Sequence, residues 1–494
     1  MTGTHDTSTG TGVRTGRGTT PGDGGSTRPV LVRGVRPLGG DATDLLLADG
    51  IVAETGRGMT ADGALVVDAD GLVALPGLVD LHTHLREPGR EDAETVESGS
   101  RAAALGGFTA VHAMANTDPV ADTAGVVEQV WRMGRRTGLV DVRPVGAVTV
   151  GLRGEQLAEL GAMADSAAAV RVFSDDGLCV SDAVLMRRAL EYVKAFDGVV
   201  AQHSQEPRLT EAAQMHEGEL SAVLGLRGWP AAAEEAIIAR DVLIAGHVDS
   251  HLHVCHVSTA GSVEIIRWAK SRGVRVTAEV TPHHLLLTHE EVASFDPVFK
   301  VNPPLRTPED VAAVREALAD GTIDVVATDH APHPAEDKDC EWDAAAAGTT
   351  GLETALSVVQ QVMVETGLLD WAGVAERMSV RPAGIGRVAG HGRPIAAGEP
   401  ANLVLALLRS DAAVAQQQFS ISDLADIFGH GGRLERERVI GSRPRTIQRQ
   451  VLFDDPSACR RCITSHVDAL SVIAEARYAV EGASQHSDRS QVCL

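Results

Sequence analysis

Histidine and aspartate residues recur at the ends of apolar, strand-like segments along the chain. Two histidines spaced i and i+2 on a strand point to the same face, so both imidazoles can approach one ion. A lone His-X-His pair in a polar loop would carry little weight, but each further ligand-type residue at a strand end strengthens the prediction of a metal centre. The residues concerned are His82, His84, Asp175, Asp176, His203, His256, Asp329 and His330.

The size of this set predicts more than one ion. Even four imidazoles and two carboxylates from this set exceed what one tetrahedral zinc ion needs, which indicates two ions with a shared bridging group. Such a centre lowers the pKa of the water between the ions and supplies hydroxide at neutral pH. The predicted chemistry is therefore hydrolysis with a metal-activated water as the nucleophile.

Other polar residues near the same strand ends are candidates for binding a substrate. Arg86 follows His84 by two residues, and its rigid fork of donors suits a carboxylate. Asn116, Asn302 and His333 follow other predicted strands, and each taken singly is equally consistent with a turn or capping residue.

The elements that must position these residues alternate between strands and helices. After Gly77, apolar segments are separated by amphipathic stretches such as residues 182–196, which is typical of a parallel sheet built from βα units. Eight strands predict a (β/α)8 TIM-type barrel, whose active site lies at the carboxyl ends of the strands. An open doubly wound sheet would need a glycine-rich dinucleotide turn, which the first strand lacks. The predicted strands are GLVDLHTH, FTAVHAMA, VDVRPVGAV, AAVRVFSDD, GVVAQHSQ, HLHVCHVS, RVTAEVTP and IDVVATDH.

Short β-type segments flank the predicted barrel of residues 77–386. Residues 29–76 and 387–409 are expected to form one small β-sandwich domain. Residues 1–28 contain many Gly and Thr and almost nothing to bury, so we expect a disordered tail. Residues 410–494 lose the pattern and are predicted only as an atypical C-terminal tail.

Composition restricts the class of ligand. The 494 residues include 44 Lys and Arg against 67 Asp and Glu, and the formal charge of −23 repels nucleic acid and anionic lipid. We recognise neither a secretory signal nor an apolar stretch of about 18 residues. Six irregularly spaced cysteines do not form a disulfide framework. We therefore expect a cytoplasmic protein that acts on a small molecule and binds neither nucleic acid nor membranes.

Taken together, these segments resemble the dihydroorotases, cyclic amidohydrolases of the amidohydrolase superfamily, in their long bacterial type. The resemblance spans residues 30–405. Its HLREPG and TDHAPH blocks are specific, because allantoinases and hydantoinases keep the histidine pair but differ in the residues that read the substrate. The segments that carry the resemblance are DLHTHLREPG, MANTDP, FSDDG, AQHSQE, HVCHVST, TAEVTPHHLLL, NPPLR and ATDHAPH.

The resemblance implies two Zn²⁺ ions per subunit. In many relatives a carboxylated lysine bridges the ions, whereas in this branch an aspartate of the DDG segment does so, and no lysine is available at that position. The implied ligands are His82, His84 and Asp329 for one zinc, His203 and His256 for the other, and Asp176 for both.

The implied reaction is the reversible cyclisation of N-carbamoyl-L-aspartate to (S)-dihydroorotate plus water, the third step of pyrimidine (UMP) biosynthesis. Asp329 would take a proton from the nucleophile and pass it to the departing ring nitrogen. Because ring closure consumes a proton, low pH favours the ring. We expect a homo-oligomer, a dimer, and association with aspartate transcarbamoylase stays open. The implied substrate contacts are His84, Arg86, Asn116, Asn302, His333, Ala347 and Gly348.

The chain departs from the family pattern in two places. Relatives often carry an aromatic residue before Gly348, whereas this chain reads AAAAGTTGLE, which leaves the contact from Ala347 open. Downstream of Leu405 the family's strands and Asn-Thr-Pro turn are not recognisable, and a shifted reading frame or a divergent tail would each explain this. We therefore expect an intact metal site with poorer stability or altered assembly.

Two other functions fit parts of the pattern. A different cyclic amidase would open allantoin or a hydantoin with the same metals, but those rings lack the carboxylate that Arg86 would bind. An inactive relative that scaffolds aspartate transcarbamoylase would have lost metal ligands, and this chain retains them. Cys459 and Cys462 are interpreted as incidental spacing, because a structural zinc needs more ligands, and His283 and His284 as structural support.

Overall fold

The computed structural model of the protein describes residues 28–407 and 447–450. The predicted disordered tail, apart from Arg28, lies outside these residues. So do the Cys459 and Cys462 pair and all of the predicted segment 410–494 except residues 447–450. Arg28 donates from its Nε to the carbonyl of Gly63 over 2.8 Å, so the described chain begins attached to the first folded unit.

A β-rich unit comes first in the chain. Its strands are β1 (Val30–Pro37), β2 (Thr43–Ala48), β3 (Ile51–Gly56), β4 (Leu65–Asp68) and β5 (Leu72–Pro76). Strand β2 pairs antiparallel with both β1 and β3, while β4 and β5 run parallel to β1. Buried apolar residues such as Val32, Leu45 and Val67 alternate with exposed ones, as expected for a sheet with one covered face.

Parallel strands separated by helices follow, which agrees with the predicted α/β class. Ten strands occupy this region: β6 (Leu78–Thr83), β7 (Phe108–Ala113), β8 (Asp141–Pro144), β9 (Val172–Phe173), β10 (Val199–Gln202), β11 (Met215–His216), β12 (Gly228–Trp229), β13 (Leu252–Val254), β14 (Val276–Val280) and β15 (Val325–Val326). One parallel sheet has the order β6-β7-β8 and a second has the order β9-β10-β13-β14-β15. Parallel bridges join the two sheets, from Gly146 to Phe173 and from Thr83 to His330. The carboxyl ends of the eight strands in these two sheets therefore lie on the same side, whereas β11 and β12 pair with each other in a separate two-stranded sheet.

Helices connect most of these strands. They are α1 (Val96–Leu105), α2 (Ala124–Thr137), α3 (Leu160–Asp165), α4 (Ala183–Val193), α5 (Glu219–Leu224), α6 (Ala232–Val248), α7 (Ala260–Ser271), α8 (Pro282–Leu286), α9 (Pro308–Asp320), α10 (Ala335–Lys338), α11 (Ala355–Val359), α12 (Trp371–Ala375) and α13 (Arg381–Ile385). Helix α9 illustrates the local signals, since Thr307 and Asp310 form a capping box and Gly321 ends the helix in the left-handed region. Within the described chain, no helix combines the length and the apolar composition needed to cross a membrane.

The chain returns to the β-rich unit after the last helix. Strand β16 (Leu403–Leu407) pairs antiparallel with β5, and β17 (Ile447–Gln450) pairs parallel with β16. Strand β16 lies within the segment 387–409 that was predicted to return to the β-domain, and the domain boundaries stay a prediction. Strand β17 was not expected, because its sequence IQRQ has a single apolar residue and no alternation of apolar and polar residues by which a strand is recognised.

The two largest hydrophobic clusters of the described residues fill the two units. The larger lies between the parallel strands and the helices, where Phe108, Leu190 and Ile238 are fully buried. The smaller fills the β-rich unit and includes Leu403 and Leu405 of β16. Since Val404 and Ala406 on the opposite face of β16 belong to the larger core, this strand binds the two units together.

Replacement of Gly107 tests that contact. Gly107 precedes β7 with a φ of 86°, and a Cβ atom there would lie 2.6 Å from Val404 Cγ2. Gly107→Ala combines left-handed strain with overpacking, so we expect a free energy of unfolding lower by about 2–5 kcal/mol. Gly138→Ala is the control: its φ is 65° but nothing lies within 4 Å, so only about 1–2 kcal/mol of strain is expected. Equal losses of thermal stability in the two variants would contradict the contact.

Candidate metal centre

The carboxyl ends of the parallel strands bring the predicted ligands together. Each ligand lies in a strand or within three residues after one: β6, β9, β10, β13 or β15. No member of the set is more than 7% exposed. The six side chains that converge are His82, His84, Asp176, His203, His256 and Asp329.

Asp176 lies at the middle of the cluster, and its two oxygens face different histidine pairs. Its Oδ2 is 3.1 Å from His82 Nε2 and 3.2 Å from His84 Nε2. Its Oδ1 is 3.2 Å from His256 Nε2 and 3.4 Å from His203 Nδ1. One carboxylate therefore connects two separate groups of nitrogen ligands.

Asp329 completes the first group. Its Oδ1 lies 3.2 Å from His84 Nε2 and 3.4 Å from His82 Nε2. Within each group the ligand atoms lie within 4.8 Å of one another. The first group is His82, His84, Asp176 and Asp329, and the second is Asp176, His203 and His256.

The donor set fits metal cations better than hydrogen bonding alone. His203 Nδ1 and His256 Nε2 are only 2.8 Å apart, and two imidazole nitrogens that face each other can share only one proton. Among the described residues, His82 Nε2, which faces Asp176 and Asp329, is buried without a hydrogen-bond partner. For His82 Nε2 this holds even though Asp176 lies near, because the geometry is not that of a hydrogen bond. Nitrogens and carboxylates that converge in this way are typical of a zinc site.

Electrostatics keep both carboxylates ionised. Burial alone would raise the pKa of Asp329, but the imidazoles of His82 and His84 hold it at about 2. Burial likewise acts to raise the pKa of Asp176, and the surrounding histidines, His82 foremost, lower it well below its usual range. Both side chains are thus anionic at neutral pH, as metal ligands must be.

Glu279 on β14 is a site residue that sequence reasoning missed. Its Oε1 accepts from His82 Nδ1 over 2.6 Å and from the backbone N–H of His256 over 3.2 Å, and its Oε2 lies 2.9 Å from His253 Nε2. A buried carboxylate that accepts from Nδ1 directs Nε2 of the same ring toward the cluster. A single Glu inside an apolar strand was the available signal, since buried carboxylates are rarely unpaired.

Two further aspartates hold the backbone of the site. Asp80 on β6 accepts from the Thr328 hydroxyl over 2.6 Å, which ties this strand to the segment that presents Asp329. Burial raises the pKa of Asp80 to about 7, against the lowering effect of the Thr328 hydrogen bond. Asp175 accepts from the backbone N–H of Val148 over 2.8 Å and does not join either ligand group.

Three more histidines lie near the cluster without joining it. His330 Nε2 contacts Glu94 Oε2 at 2.8 Å, and His284 Nδ1 contacts the Thr281 hydroxyl at the same distance. His283 is buried, and its Nε2 has no hydrogen-bond partner among the described residues. Burial lowers the pKa of His283 to about 4, so its ring is neutral near pH 7.

The backbone is strained where three of the predicted residues are presented. Arg86, His256 and Asp329 have φ values of 61°, 31° and 47°, in the left-handed region that L-residues rarely adopt. Each such residue costs about 1–2 kcal/mol, which the surrounding packing must offset. Strain concentrated in this way is common at functional sites.

The predicted substrate residues lie on loops beside the cluster. Asn116 Oδ1 accepts from His84 Nδ1 over 2.8 Å, so this side chain contacts a predicted ligand. Arg86 donates from its Nε to the carbonyl of Pro332 over 3.1 Å, which brings it to the segment that contains His333. Burial, reinforced by the charge of Arg86, lowers the pKa of His333 to about 4, and its Nε2 contacts the Ala347 carbonyl at 2.9 Å.

The segment around Gly348 lies against His333. Gly348 is buried with a φ of 142°, and a Cβ there would lie 2.8 Å from both the Ala331 carbonyl and His333 Nε2, so only glycine fits. The side chain of Ala347 is exposed, and its carbonyl is the atom that contacts His333. Asn302 lies 3.4 Å from Gln205, beside His203, so it reaches the cluster through another residue.

The chain is similar in sequence to several known dihydroorotases. A family model described as dihydro-orotase-like matches residues 71–262. The chain is 73% identical over 376 residues to a dihydroorotase of Streptomyces coelicolor, covering 76% of this chain and 88% of the relative. It is 68% identical over 400 residues to a dihydroorotase of Leifsonia xyli, covering 81% and 90%. A Mycobacterium tuberculosis dihydroorotase is 58% identical over 378 residues, covering 76% and 88%.

Solved structures share the fold at lower sequence identity. The L-hydantoinase (dihydropyrimidinase) of Arthrobacter aurescens superposes with a TM-score of 0.66 at 27% identity, covering 76% of this chain and 86% of that chain. A dihydropyrimidinase of Brevibacillus agri gives a TM-score of 0.65 at 21% identity with the same coverage. The second likeness concerns the fold alone.

Glu279→Gln tests whether the hydrogen bonds behind the ligands support metal binding. The amide keeps the shape but carries no charge and brings a donor, so it holds the His82 ring less well. We expect the affinity for Zn²⁺ to fall about 10- to 100-fold, measured by competition with a chelator. Asp44→Asn is the control, since Asp44 is a buried carboxylate of the β-rich unit that accepts from Gly34 N and Met59 N. Unchanged zinc affinity in folded Glu279→Gln would contradict the role of Glu279.

Proposed function

This chain belongs to the dihydroorotase family, and we propose that the cluster around Asp176 is the two-metal centre of its reaction. The protein is a cyclic amidohydrolase of pyrimidine biosynthesis that interconverts N-carbamoyl-L-aspartate and (S)-dihydroorotate plus water. The two oxygens of Asp176 support the assignment of two ions, because they face the His82 and His84 pair and the His203 and His256 pair separately.

The proposed architecture is a closed (β/α)8 barrel with a small β-sandwich domain made by its flanking segments. The two bridges that join both edges of the parallel sheets support closure, since eight parallel strands then follow one another in chain order. The pairing of β16 with β5 supports a β-domain assembled from residues 29–76 and 387–409. The barrel would extend over residues 77–386.

We assign one ion to His82, His84 and Asp329, a second to His203 and His256, and Asp176 to both. The family is metal-dependent, and zinc is the proposed metal because imidazole and carboxylate ligands suit it. Bound there, such ions would supply Lewis acidity and would lower the pKa of a bound water, so that hydroxide would be available at neutral pH. The orphaned Nε2 of His82, which faces Asp176 and Asp329, supports this fit.

Asp329 is the proposed proton carrier. Its carboxylate is ionised at neutral pH, since its pKa is about 2, and it lies within 3.4 Å of both His82 and His84. In ring opening, the Asp329 carboxylate would accept a proton from the attacking water and deliver it to the departing ring nitrogen. Ring closure would use the same group in the opposite order.

Arg86 is the proposed anchor for the substrate carboxylate. Its Nε is fixed by the Pro332 carbonyl, so the planar guanidinium is held in orientation next to His333. The neutral ring of His333 contacts the Ala347 carbonyl, which brings residues 347 and 348 to the same side of the proposed pocket. We assign Asn116 and Asn302 as further contacts, with His84 shared between substrate and metal.

Assembly and location are proposed on the family resemblance. A homodimer in the cytoplasm, with aspartate transcarbamoylase as a further partner, is the arrangement to test by light scattering with and without that enzyme. Cys179, Cys255 and Cys340 are free thiols, which suits a reducing compartment.

Removing the guanidinium of Arg86 should weaken recognition of the ring carboxylate. For Arg86→Gln we expect kcat/KM for dihydroorotate to fall about 100-fold or more, mainly through KM, because a charge-assisted bidentate contact is lost. Arg101→Gln, which removes an exposed arginine paired with Glu97, should behave like the wild type. If Arg86→Gln turned over dihydroorotate at the wild-type KM, the carboxylate assignment would be wrong. Activity of wild-type protein on hydantoin or allantoin instead of dihydroorotate would overturn the substrate itself.

Asp329→Asn should remove turnover while the fold persists. The amide cannot carry the proton, so kcat should fall about 100- to 10,000-fold, with zinc content determined in parallel by mass spectrometry. Asp324→Asn is the matched control, because Asp324 pairs with Lys270 and Arg381 outside the two ligand groups and its loss should lower stability but not kcat. Wild-type turnover by folded, zinc-loaded Asp329→Asn would contradict the role of Asp329. A wild-type chain without dihydroorotase activity, whose effect on aspartate transcarbamoylase persisted in Asp329→Asn, would instead be an inactive scaffold and would contradict the enzymatic assignment.

A further inference from the structure

A directed chain of hydrogen bonds runs from Thr210 through Gln205 toward the metal cluster. The Thr210 hydroxyl is placed to donate to the carbonyl of Glu206 at 3.2 Å, so its lone pairs remain as acceptors. Gln205 Nε2 donates to that hydroxyl over 2.7 Å. The amide of Gln205 is therefore oriented, with its carbonyl oxygen directed away from Thr210 and toward the site.

The carbonyl oxygen of Gln205 determines which nitrogen of His203 carries the proton. Gln205 Oε1 lies 2.7 Å from His203 Nε2, and an amide oxygen can only accept. The proton is thus on Nε2, and the lone pair of Nδ1 faces Asp176 and His256. Of the four histidines in the cluster, His203 alone presents Nδ1 to Asp176.

The same oxygen orients Asn302. Asn302 Nδ2 donates to Gln205 Oε1 over 3.4 Å, so the Asn302 amide points its nitrogen toward Gln205 and its oxygen elsewhere. That oxygen, Asn302 Oδ1, is buried and has no hydrogen-bond partner among the described residues. A buried acceptor without a donor is costly unless a ligand supplies one.

We propose that Gln205 is a positioning residue that sets, through one carbonyl oxygen, both the metal-facing nitrogen of His203 and the direction of the Asn302 amide. Asn302 then presents an acceptor, and the substrate group it reads is an N–H of the ureido unit. This inference rests on the proposed function, because the ureido group belongs to dihydroorotate and carbamoyl aspartate. Either ring nitrogen carries such an N–H, the one that is released or the one bonded to the carbon that bears the carboxylate.

Gln205→Leu removes the acceptor at similar volume and provides the first test. We expect zinc affinity, measured by chelator competition without substrate, to weaken about 10- to 100-fold. Gln205→Glu restores an acceptor for His203 and should recover most of this loss. Gln214→Leu is the control from the same region, because within the described part of the chain the Gln214 side chain makes one hydrogen bond, a 3.5 Å contact with the Ala212 carbonyl. Wild-type zinc affinity in folded Gln205→Leu would overturn the His203 part of the proposal.

Substrate analogues test the Asn302 part. Dihydroorotate methylated at one or the other ring nitrogen cannot donate from that atom, and we expect one of the two to lose about tenfold in kcat/KM with wild-type protein. In Gln205→Leu and in Asn302→Leu, the same methyl group should lower kcat/KM by no more than about threefold, because the acceptor is already misdirected or absent. A purely structural role would lower kcat/KM for all three substrates equally, and that outcome would overturn the proposal.

Two safeguards keep these results separable. If Gln205→Leu does not fold, Thr210→Val removes the hydroxyl that orients the Gln205 amide and should reduce both the zinc affinity and the methyl penalty. Failure of the wild type to open dihydroorotate would refute the proposed function, whereas the zinc measurement is made without substrate and still decides the role of Gln205.

Discussion

The carboxylate of Asp176 is the group on which the rest of the site depends. A carboxylate that is 4% exposed is costly unless positive charge surrounds it. Two pairs of imidazoles face its two oxygens, and the lone pairs that His82, His84 and His203 present there require the proposed cations to supply that charge. Those imidazoles come from strands β6, β10 and β13, so the pairing requires the strand ends to meet at one place. Parallel strands in chain order, joined at both edges, satisfy that requirement. His256 and Asp329 adopt strained left-handed φ values in the segments that present them to the cluster.

The residues behind the ligands convert this convergence into a defined site. Each of the four histidines faces Asp176 with one ring nitrogen. In three of them, the other ring nitrogen is hydrogen-bonded to a separate side chain. Glu279 holds His82, Asn116 holds His84 and Gln205 holds His203. The partners differ in charge, so the three rings are oriented without burying three more carboxylates. Because Asn116 and Gln205 also lie beside the proposed substrate pocket, metal binding and substrate recognition share the same supports.

Much of this arrangement was predictable from the sequence, and the remainder was not for physical reasons. The eight strands and the His and Asp residues at their ends follow from apolar segments and residue types, which are local signals. Glu279 and Gln205 act through hydrogen bonds to residues that only the fold brings near, such as His82, and no local pattern marks them. Strand β17 escaped recognition because its polar sequence depends on pairing with β16. The left-handed residues were also unpredictable, since tertiary contacts impose them.

Zinc stoichiometry tests the central role of Asp176 most directly. Metal-free protein reconstituted with zinc, separated from unbound ions and analysed by mass spectrometry, gives the number of ions per chain for the wild type and for Asp176→Ala. The account predicts about two ions in the wild type, and weakened retention of both in the variant, because Asp176 contacts both ligand groups. One ion per wild-type chain, or loss of a single ion in the variant with the other held at wild-type affinity, would contradict it.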